Sequence, residues 1–565
     1  IFETNWLGAA NYANSVANSW TDGSNFFSFL DSYVVPFGLL RTLSDKQLRV
    51  EATNTLGNFT VETIKTVTSW SAPKTIVPPS VVTAENYALL VYSSPANGGG
   101  INYSGKVFDF AAKNWVGGEI PISSGVYGTY SYSSGKASGE RALLIFRTVS
   151  PLGNGGTDES FEMKIIDLKR AVVVATANTQ SRYQTATGHE YGLRQQVIDY
   201  AVGSEKALIS WQYREDIDPA LAPTTYGPMG FRTTVLDMRS GNFVGLDIHN
   251  LDCGTTYNAY CRNGTISDRA KLAVSKDTGF VAGVPSNGSL NIDSLLQTSD
   301  VWGLYGRFVD LQTALPIGSA PVKLDNYNSI SFGLPMFQGK AEIATIGDRA
   351  VLAWPCSTNI YSMMKPVCTR VVDLTNRQRI GTYEAFTSYV FDYPRLNIKI
   401  AGSGKRALII WDSPVYTYTI DSHPNNIYGR VINLDTGVPL GADELRINST
   451  EQSSPNLTIP SYNFANIAAT GDRAVITWNS HTFVGPDVNF AYAITDKCLT
   501  RVVDLQNGIV LGASDSQVAL NAIATPGQIQ PNEDCKVAAG SNYALFTNQT
   551  INQTSTTDFD IRAWL

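Results

Sequence analysis

Charge is scarce in this chain: Asp, Glu, Lys and Arg make up 16% of its 565 residues, against about 25% in an average soluble domain. The formal net charge is -7, so there is no basic field to hold a polyphosphate backbone, and nucleic acid is excluded as a partner. Histidine is scarcer still. The four, His189, His249, His423 and His481, stand far apart with no HExxH and no close pair, which argues against a zinc hydrolase. No run approaches the roughly 18 to 20 apolar residues that a spanning helix needs, and no basic tail marks a lipid anchor, so membrane insertion is not expected. GxSxG, Walker and helix-opening GxGxxG motifs are missing, as are an Asp-x-Asp-x-Asp-Gly calcium loop and a Ser-x-Asp-x-Gly-x-Thr-Trp box. The expectation is no metal and no cofactor.

What is present is core material, 43% hydrophobic with 27 Tyr, 23 Phe and 10 Trp, and a repeat. A turn of Gly, Ser, Asp or Lys/Arg is followed by Ala and a short apolar run that often ends in an aromatic residue, as in GDRAVLAW from Gly347 and GDRAVITW from Gly471. SDKQLRVEA from Ser44, ENYALLVY from Glu85, SGERALLIF from Ser138, GSEKALISW from Gly203, SDRAKLAVS from Ser267, GSGKRALIIW from Gly402 and GSNYALFT from Gly540 bring the copies to nine. Each is followed by a second run, most often ending in Asp-Leu: GKVFDF from Gly105, MKIIDL from Met163, TTVLDM from Thr233, GRFVDL from Gly306, TRVVDL from Thr369, GRVINL from Gly429 and TRVVDL from Thr500, with FTVETI from Phe59 and DIRAWL from Asp560 in the end slots. An extended piece precedes each pair (AEIATI, LNIKIA, FANIAA) and another follows (TGVPLGADELRI). Each unit thus reads as four short strands, A to D, separated by turn residues.

Four-strand units recurring without helical periodicity are what a β-propeller requires, since each blade buries its faces only against its neighbours. The chain resembles β-propeller repeat proteins in general through these paired runs, and no specific family is identified. The expected fold is all-β: a single large β-propeller of four-stranded blades, eight or nine of them from nine repeats. Residues 32–565 carry the repeats. Residues 1–31 form an arm whose segment IFETNWLGAANYA resembles the D-strand entry LDTGVPLGADEL and is expected to close the last blade, which lacks a D strand. The sharper alternative is that the arm completes a blade of a second copy, giving self-assembly by strand addition. The start at Ile1 rather than Met reads as a removed leader or a cut, and with it as export.

The six cysteines fall into local pairs, Cys253 with Cys261, Cys356 with Cys368 and Cys498 with Cys535. Proximity alone suggests this pairing out of fifteen connectivities, and disulfides fit a secreted or extracellular chain. Sequons at Asn58, Asn102, Asn263, Asn287, Asn448, Asn456, Asn548 and Asn552 are glycosylation candidates, all placed in loops by the repeat alignment.

The turns from A to B and from C to D are short and share one face, whereas the B-to-C connections are long and dissimilar and share the other. Variable loops on a rigid scaffold are where function usually sits. Two of these loops combine aromatic residues with carboxylates, as sugar sites and glycosidases do: Tyr213, Glu215, Asp216 and Asp218 after Trp211 in one, and Asp412, Tyr416, Tyr418, Asp421 and His423 in the other. The recurring Asp of strand C (Asp109, Asp167, Asp237, Asp310, Asp373, Asp504) and Arg of the A-to-B turn (Arg141, Arg269, Arg349, Arg406, Arg473) read as structural, since a residue needed once per blade serves the blade. Trp211, Trp354, Trp411 and Trp478 share one B-strand position and are expected to be wedges between blades. The leading function is a secreted binding or structural module acting on an extracellular protein or glycan. The alternative is a secreted carbohydrate-active hydrolase or lyase.

Overall fold

The computed structural model describes residues 17–21, 26–30, 37–42, 48–53, 60–61, 80–95, 101–123, 129–151, 157–180, 182–184, 190–192, 196–214, 229–249, 271–283, 304–324, 341–355, 364–391, 398–414, 425–441, 444–448, 462–483, 494–520, 535–540, 543–551 and 559–564. All regular structure among them is strand. An N-terminal sheet holds β1 (Ala17–Thr21), β2 (Phe26–Leu30), β3 (Phe37–Thr42), β4 (Leu48–Thr53) and β5 (Thr60–Val61) in that order. Blade 1 is β6 (Ser80–Thr83), β7 (Tyr87–Pro95), β8 (Ile101–Asp109) and β9 (Asn114–Ser123). Blade 2 is β10 (Thr129–Ser138), β11 (Arg141–Pro151), β12 (Thr157–Asp167) and β13 (Val172–Gln180). The small hairpin β14 (Arg182–Gln184) and β15 (Glu190–Gly192) precedes blade 3, formed by β16 (Gln196–Val202), β17 (Lys206–Arg214), β18 (Met229–Asp237) and β19 (Phe243–His249). Blade 4 is β20 (Lys271–Val274), β21 (Thr278–Gly283), β22 (Tyr305–Asp310) and β23 (Leu315–Lys323). Blade 5 is β24 (Glu342–Ile346), β25 (Arg349–Pro355), β26 (Met364–Asp373) and β27 (Gln378–Phe391). Blade 6 is β28 (Ile398–Ser403), β29 (Arg406–Pro414), β30 (Asn425–Asn433) and β31 (Leu445–Arg446). Blade 7 is β32 (Tyr462–Thr470), β33 (Arg473–Phe483), β34 (Ile494–Asp504) and β35 (Ile509–Leu520). Blade 8 has three strands among the described residues, β36 (Lys536–Gly540), β37 (Tyr543–Ile551) and β38 (Phe559–Trp564).

Every blade is an antiparallel meander, and the sequence shows why the second strand sits in its middle. Successive residues of a strand point to opposite faces, and here both faces are covered. Leu408 and Ile410 of β29 pack into the joint with blade 7, while Ile409 and Trp411 pack into the joint with blade 5. The Ala-x-x-x-Trp runs are therefore apolar throughout rather than alternating. The joints continue in the same way from each blade to the next: 1 to 2, 2 to 3, 3 to 4, 4 to 5, 5 to 6, 6 to 7 and 7 to 8. Phe108 and Phe110 of the blade 1 region then pack against Ala538 and Leu545 of blade 8, and β36 lies beside β6. The eight sheets thus close a ring, which is the propeller expected from the repeats.

The structure corrects three alignments. SDRAKLAVS contains the innermost strand β20, and the second strand of blade 4 is Thr278–Gly283, where Gly279 replaces the usual Ala. SDKQLRVEA contributes β4 to the separate N-terminal sheet, so among the described residues the nine repeats yield eight sheets in the ring. DIRAWL is displaced against TRVVDL, because Trp564 pairs with Phe546 where Arg501 pairs with the equivalent Ile476. Residues 17–21 and 26–30 of the expected closing arm belong to the N-terminal sheet; the segment from Ile1 to Ala13 matched to a D strand lies outside the described residues.

The short turns follow from glycine. Gly139, Gly347, Gly404 and Gly471 hold φ between 52° and 58° at the first loop position of the A-to-B hairpins, the conformation that a two-residue hairpin needs and that glycine adopts without steric cost.

Candidate functional site

The recurring Asp of strand C is structural in the blades where it is described. Asp237 Oδ1 accepts the backbone N–H groups of Arg239 and Ser240, and Asp373 Oδ1 and Asp504 Oδ1 do the same for Thr375 and Asn376 and for Gln506 and Asn507. The other carboxylate oxygen meets the first residue of strand B: Arg141 with Asp167, Lys206 with Asp237, and Arg349 with Asp373 and Arg473 with Asp504 at 3.0 Å each. Burial opposes the charge of Asp237, but the Lys206 ammonium and the Ser240 and Arg239 N–H groups outweigh it and bring its pKa to about 2. The same balance lowers Asp167, Asp373 and Asp504. Arg269, the Arg of the A-to-B turn in its repeat copy, lies outside the described residues.

A second repeated device is one the repeat alignment left unread. Arg370, Arg430 and Arg501 occupy one strand C position and are buried. Arg370 Nε donates to the Leu324 carbonyl of the preceding blade at 2.8 Å, and its Nη1 donates to Gly381 O at 3.2 Å. Arg501 repeats both bonds, to Ile447 O at 3.1 Å and Gly512 O at 3.1 Å, and Arg430 reaches Gly441 O at 2.7 Å. Arg370 and Arg501 stitch blade to blade, and the bond of Arg430 lies within its own blade. Their only sequence signal is the Arg of TRVVDL and GRVINL.

Of the expected loop sites, the structure places two positions. Tyr213 is in β17 opposite Gly230, and the half-buried Asp412 is in β29 opposite Ile427. Glu215, Asp216, Asp218, Tyr416, Tyr418, Asp421 and His423 lie outside the described residues. Trp211, Trp354, Trp411 and Trp478 are fully buried wedges, as expected. Cys498 and Cys535 form a disulfide with Cα atoms 5.8 Å apart, tying β34 to the start of β36. Cys368 is disulfide-bonded, while Cys356, Cys253 and Cys261 lie outside the described residues, as do Asn58, Asn263, Asn287, Asn456 and Asn552. Three sequons need correction. Asn102 and Asn548 are in strands β8 and β37 rather than loops. Asn448 is 1% exposed, with Oδ1 accepting the Ile427 N–H at 3.0 Å, which leaves no room for a glycan in the folded blade.

The side chains of greatest chemical interest line the ring axis. One register position of the inner strands, opposite the third residue after the strand B Ala, carries Ser80, Ser134, Asp199, Lys271, Glu342, Lys399, Asn466 and Lys536 in blades 1 to 8. Lys136, two residues beyond Ser134 on the same strand face, places Nζ 2.8 Å from Asp199 Oδ1 of the next blade. Asp199 Oδ2 accepts the Leu272 N–H at 2.9 Å, and Lys271 Nζ is 3.4 Å from Glu342 Oε2. Burial works against the charge of Lys271, and the carboxylates of Glu342 and Asp199 overcome it and raise its pKa. Charges therefore alternate and cancel across blades 2 to 5. Blades 6 to 8 carry lysine, asparagine and lysine with no carboxylate at this position. No cluster of three or more metal-ligating side chains occurs among the described residues.

No family model and no curated protein matches this chain. Solved structures with similar chain traces include the Pyrococcus horikoshii acylaminoacyl peptidase, with 10% identity and a TM-score of 0.34 over 77% of this chain and 51% of the peptidase. This chain thus spans about half the length of that enzyme. The α-L-arabinofuranosidase Arb93A of Fusarium graminearum has 10% identity and a TM-score of 0.31, covering 66% of this chain and 94% of its own. The GH43 endo-arabinanase of Bacillus licheniformis has 8% identity and a TM-score of 0.21, covering 53% and 93%. Among the described residues no helix is long and apolar enough to cross a membrane.

Proposed function

We propose that the protein is a secreted propeller module that binds or builds extracellular structure through the face carrying its long B-to-C connections. The observation that carries this reading is the asymmetry of the two faces. Strands A and B are joined by turns such as Ile346 to Arg349 and Thr470 to Arg473, and the charged groups of that face serve as caps and ion pairs within the blade. Strands B and C are separated by Arg214 to Met229, Gly283 to Tyr305 and Pro414 to Asn425. A rigid ring that spends its charges on its own turns leaves recognition to the long loops.

Secretion is supported by the Cys498–Cys535 disulfide and the bonded Cys368, which persist in oxidising compartments. Self-association belongs to the same proposal. Blade 8 presents β38 as an edge strand among the described residues, and the segment Ile1 to Ala13 has the character of a D strand; an unpaired edge is a template for strand addition. Sedimentation and electron microscopy of the full chain, beside a form lacking residues 1–13, test this, with glycan mapping at Asn58, Asn263, Asn287, Asn456 and Asn552 in the same sample. Ordered multimers lost on truncation support assembly, and a monomer in both forms rejects it.

The second reading, a secreted carbohydrate-active hydrolase or lyase, rests on the loop carboxylates and aromatic residues around Glu215 and Asp421. Release of reducing ends from arabinan or related oligosaccharides, abolished by Glu215→Gln or Asp421→Asn, would establish it in place of the first.

A further inference from the structure

We infer that the outer edge of blade 8, together with the strand C-to-D turn of blade 1, seats an outer strand whose docking motif is Asn5-Trp6-Leu7-Gly8, supplied by a second copy of this chain. Both surfaces belong to the assembly reading above, on which this assignment rests. The outer segments of blades 1, 3, 4, 5, 6 and 7 share one feature. Each carries a glycine with φ between 60° and 82°, namely Gly117, Gly245, Gly318, Gly381, Gly441 and Gly512, and each glycine follows a Val, Ile or Leu. Asn5-Trp6-Leu7-Gly8 reproduces Asn114-Trp115-Val116-Gly117 of blade 1 with Leu in place of Val.

These glycines lie against the C-to-D turn of the next blade. A Cβ on Gly117 would stand 3.5 Å from Ala171 Cβ of blade 2, one on Gly245 would stand 3.0 Å from Ala314 Cβ of blade 4, and one on Gly381 would overlap the Thr436 carbonyl of blade 6. Ala171 and Ala314 hold φ at 52° and 55° in their turns, and Lys113 holds the same turn position in blade 1 at 54°. Blade 1 thus presents the same turn to blade 8, whose β38 pairs with β37 alone among the described residues. Blade 7 supplies the register. There Thr500 and Leu499 face Ser516 and Gln517, four and five residues after Gly512. Trp564 stands where Arg501 does, so Tyr12 falls opposite Ala563 and Ala13 opposite Arg562. The ring does not need this strand for closure, since Phe108 and Phe110 already pack on Ala538 and Leu545. An edge that closure does not consume is a template for another molecule, and pairing along it joins copies head to tail.

Mixing full-length Tyr12→Cys with full-length Ala563→Cys, and Ala13→Cys with Arg562→Cys, under mild oxidation tests the inference. Of two adjacent pairs in an antiparallel ladder, one is the close, non-hydrogen-bonded kind, whose spacing suits a disulfide. A covalent dimer is expected from at least one mixture, with the bond mapped to the introduced cysteines by mass spectrometry. The off-register mixture of Tyr12→Cys with Arg562→Cys should link about tenfold less, since a slip of one residue turns the side chains to opposite faces. Adding Gly8→Val to the linking mixture should lower its yield by a similar factor, because valine resists a positive φ and would crowd the turn. Equal linking in and out of register overturns the inference. No link in either in-register mixture, with multimers still lost on truncation, overturns it too and leaves the assembly standing on another contact. A bond that forms only within single chains carrying both cysteines shows that each chain fills its own seat, which overturns the second copy as donor. Monomers in every form, with no link, reject both.

Discussion

Arg370 Nε lies 2.8 Å from the Leu324 carbonyl, and with this bond one blade's third strand holds the end of the preceding blade. The guanidinium is 2% exposed and its Nη1 also reaches Gly381 O. A planar fork suits two carbonyls in fixed directions, which an ammonium does not reproduce. Arg370→Met is expected to cost about 2 to 4 kcal/mol, because it strands acceptors in a dry joint, and Arg370→Lys should recover only part of that. Chemical denaturation reads both, and a cost within a few tenths of a kcal/mol for Arg370→Met would remove the stitching role.

The tryptophan wedges make a second prediction. Trp211 is fully buried between blades 2 and 3, donates its Nε1–H to Thr234 Oγ1 at 3.0 Å and packs beside Phe161. Trp211→Ala should destabilise the ring by about 3 to 5 kcal/mol through the cavity it leaves. Trp211→Phe should cost less but leave Thr234 without its donor, so adding Thr234→Val to it should restore part of the loss. Additive losses in the double variant would contradict the pairing.

Acid sensitivity follows from the capped aspartates. The folded-state pKa values of Asp167, Asp237, Asp373 and Asp504 are lowered, that of Asp237 to about 2. A carboxylate depressed on folding stabilises the fold fully above its unfolded pKa, near 4, and loses that contribution as pH falls toward the folded value. Stability should therefore be flat in these groups near neutrality and decline between about pH 4 and pH 2. In Asp237→Asn this part of the decline should shrink, as measured by thermal unfolding across that range.

How much of this was legible depends on how often each residue's environment repeats. The strand B runs were readable because both faces of that strand meet a neighbouring blade, so Ala350 to Trp354 and Ala474 to Trp478 carry the same constraint. Blade 4 was misread where Gly279 takes the Ala position and Lys271–Val274 has the composition of a second strand. The buried arginines were visible letter by letter, but nothing in a one-dimensional repeat says that position 370 reaches the previous blade at Leu324. The axial charges were equally visible in AEIATI, LNIKIA and FANIAA, yet only pairing between strands places Glu342, Lys399 and Asn466 on one level. Asn448 shows the opposite failure, since a sequon specifies chemistry but not burial, and this one is sealed by Ile427 and Asn426.

Ring closure makes a sharper mutational test than any single core residue. A Cβ on Gly540 would overlap the Phe110 ring and crowd the Glu85 carbonyl, which belong to blade 1 and its turn. Lys113 Nζ lies 4.4 Å from the Tyr543 ring centre across the same joint. Gly540→Ala should cost about 2 kcal/mol or more through overpacking. Gly404→Ala, where φ is 58° but the surrounding space is open, should cost about 1 kcal/mol. Equal costs in denaturation would mean that blades 8 and 1 do not pack as described.

The last prediction concerns the joint on the other side of blade 8, where the buried apolar contact among the described residues is made by Ala468, Val475, Val537 and Ala539, small or β-branched side chains with only the partly buried Phe546 as an aromatic neighbour and no tryptophan wedge. Cys498 and Cys535 cross-link this joint across 37 residues of sequence, and both are buried. A bridge closing a loop of that size contributes about 2 to 4 kcal/mol, chiefly by restricting the unfolded chain. In Cys498→Ser, Cys535→Ser the loss should fall unevenly, because a blade held by a thin apolar joint opens locally before the ring unfolds. Hydrogen exchange should accelerate in β36 and β37 while β25 and β29, each between two tryptophan-bearing joints, keep their protection. Uniform acceleration across all eight blades would show instead that the ring opens only as one unit.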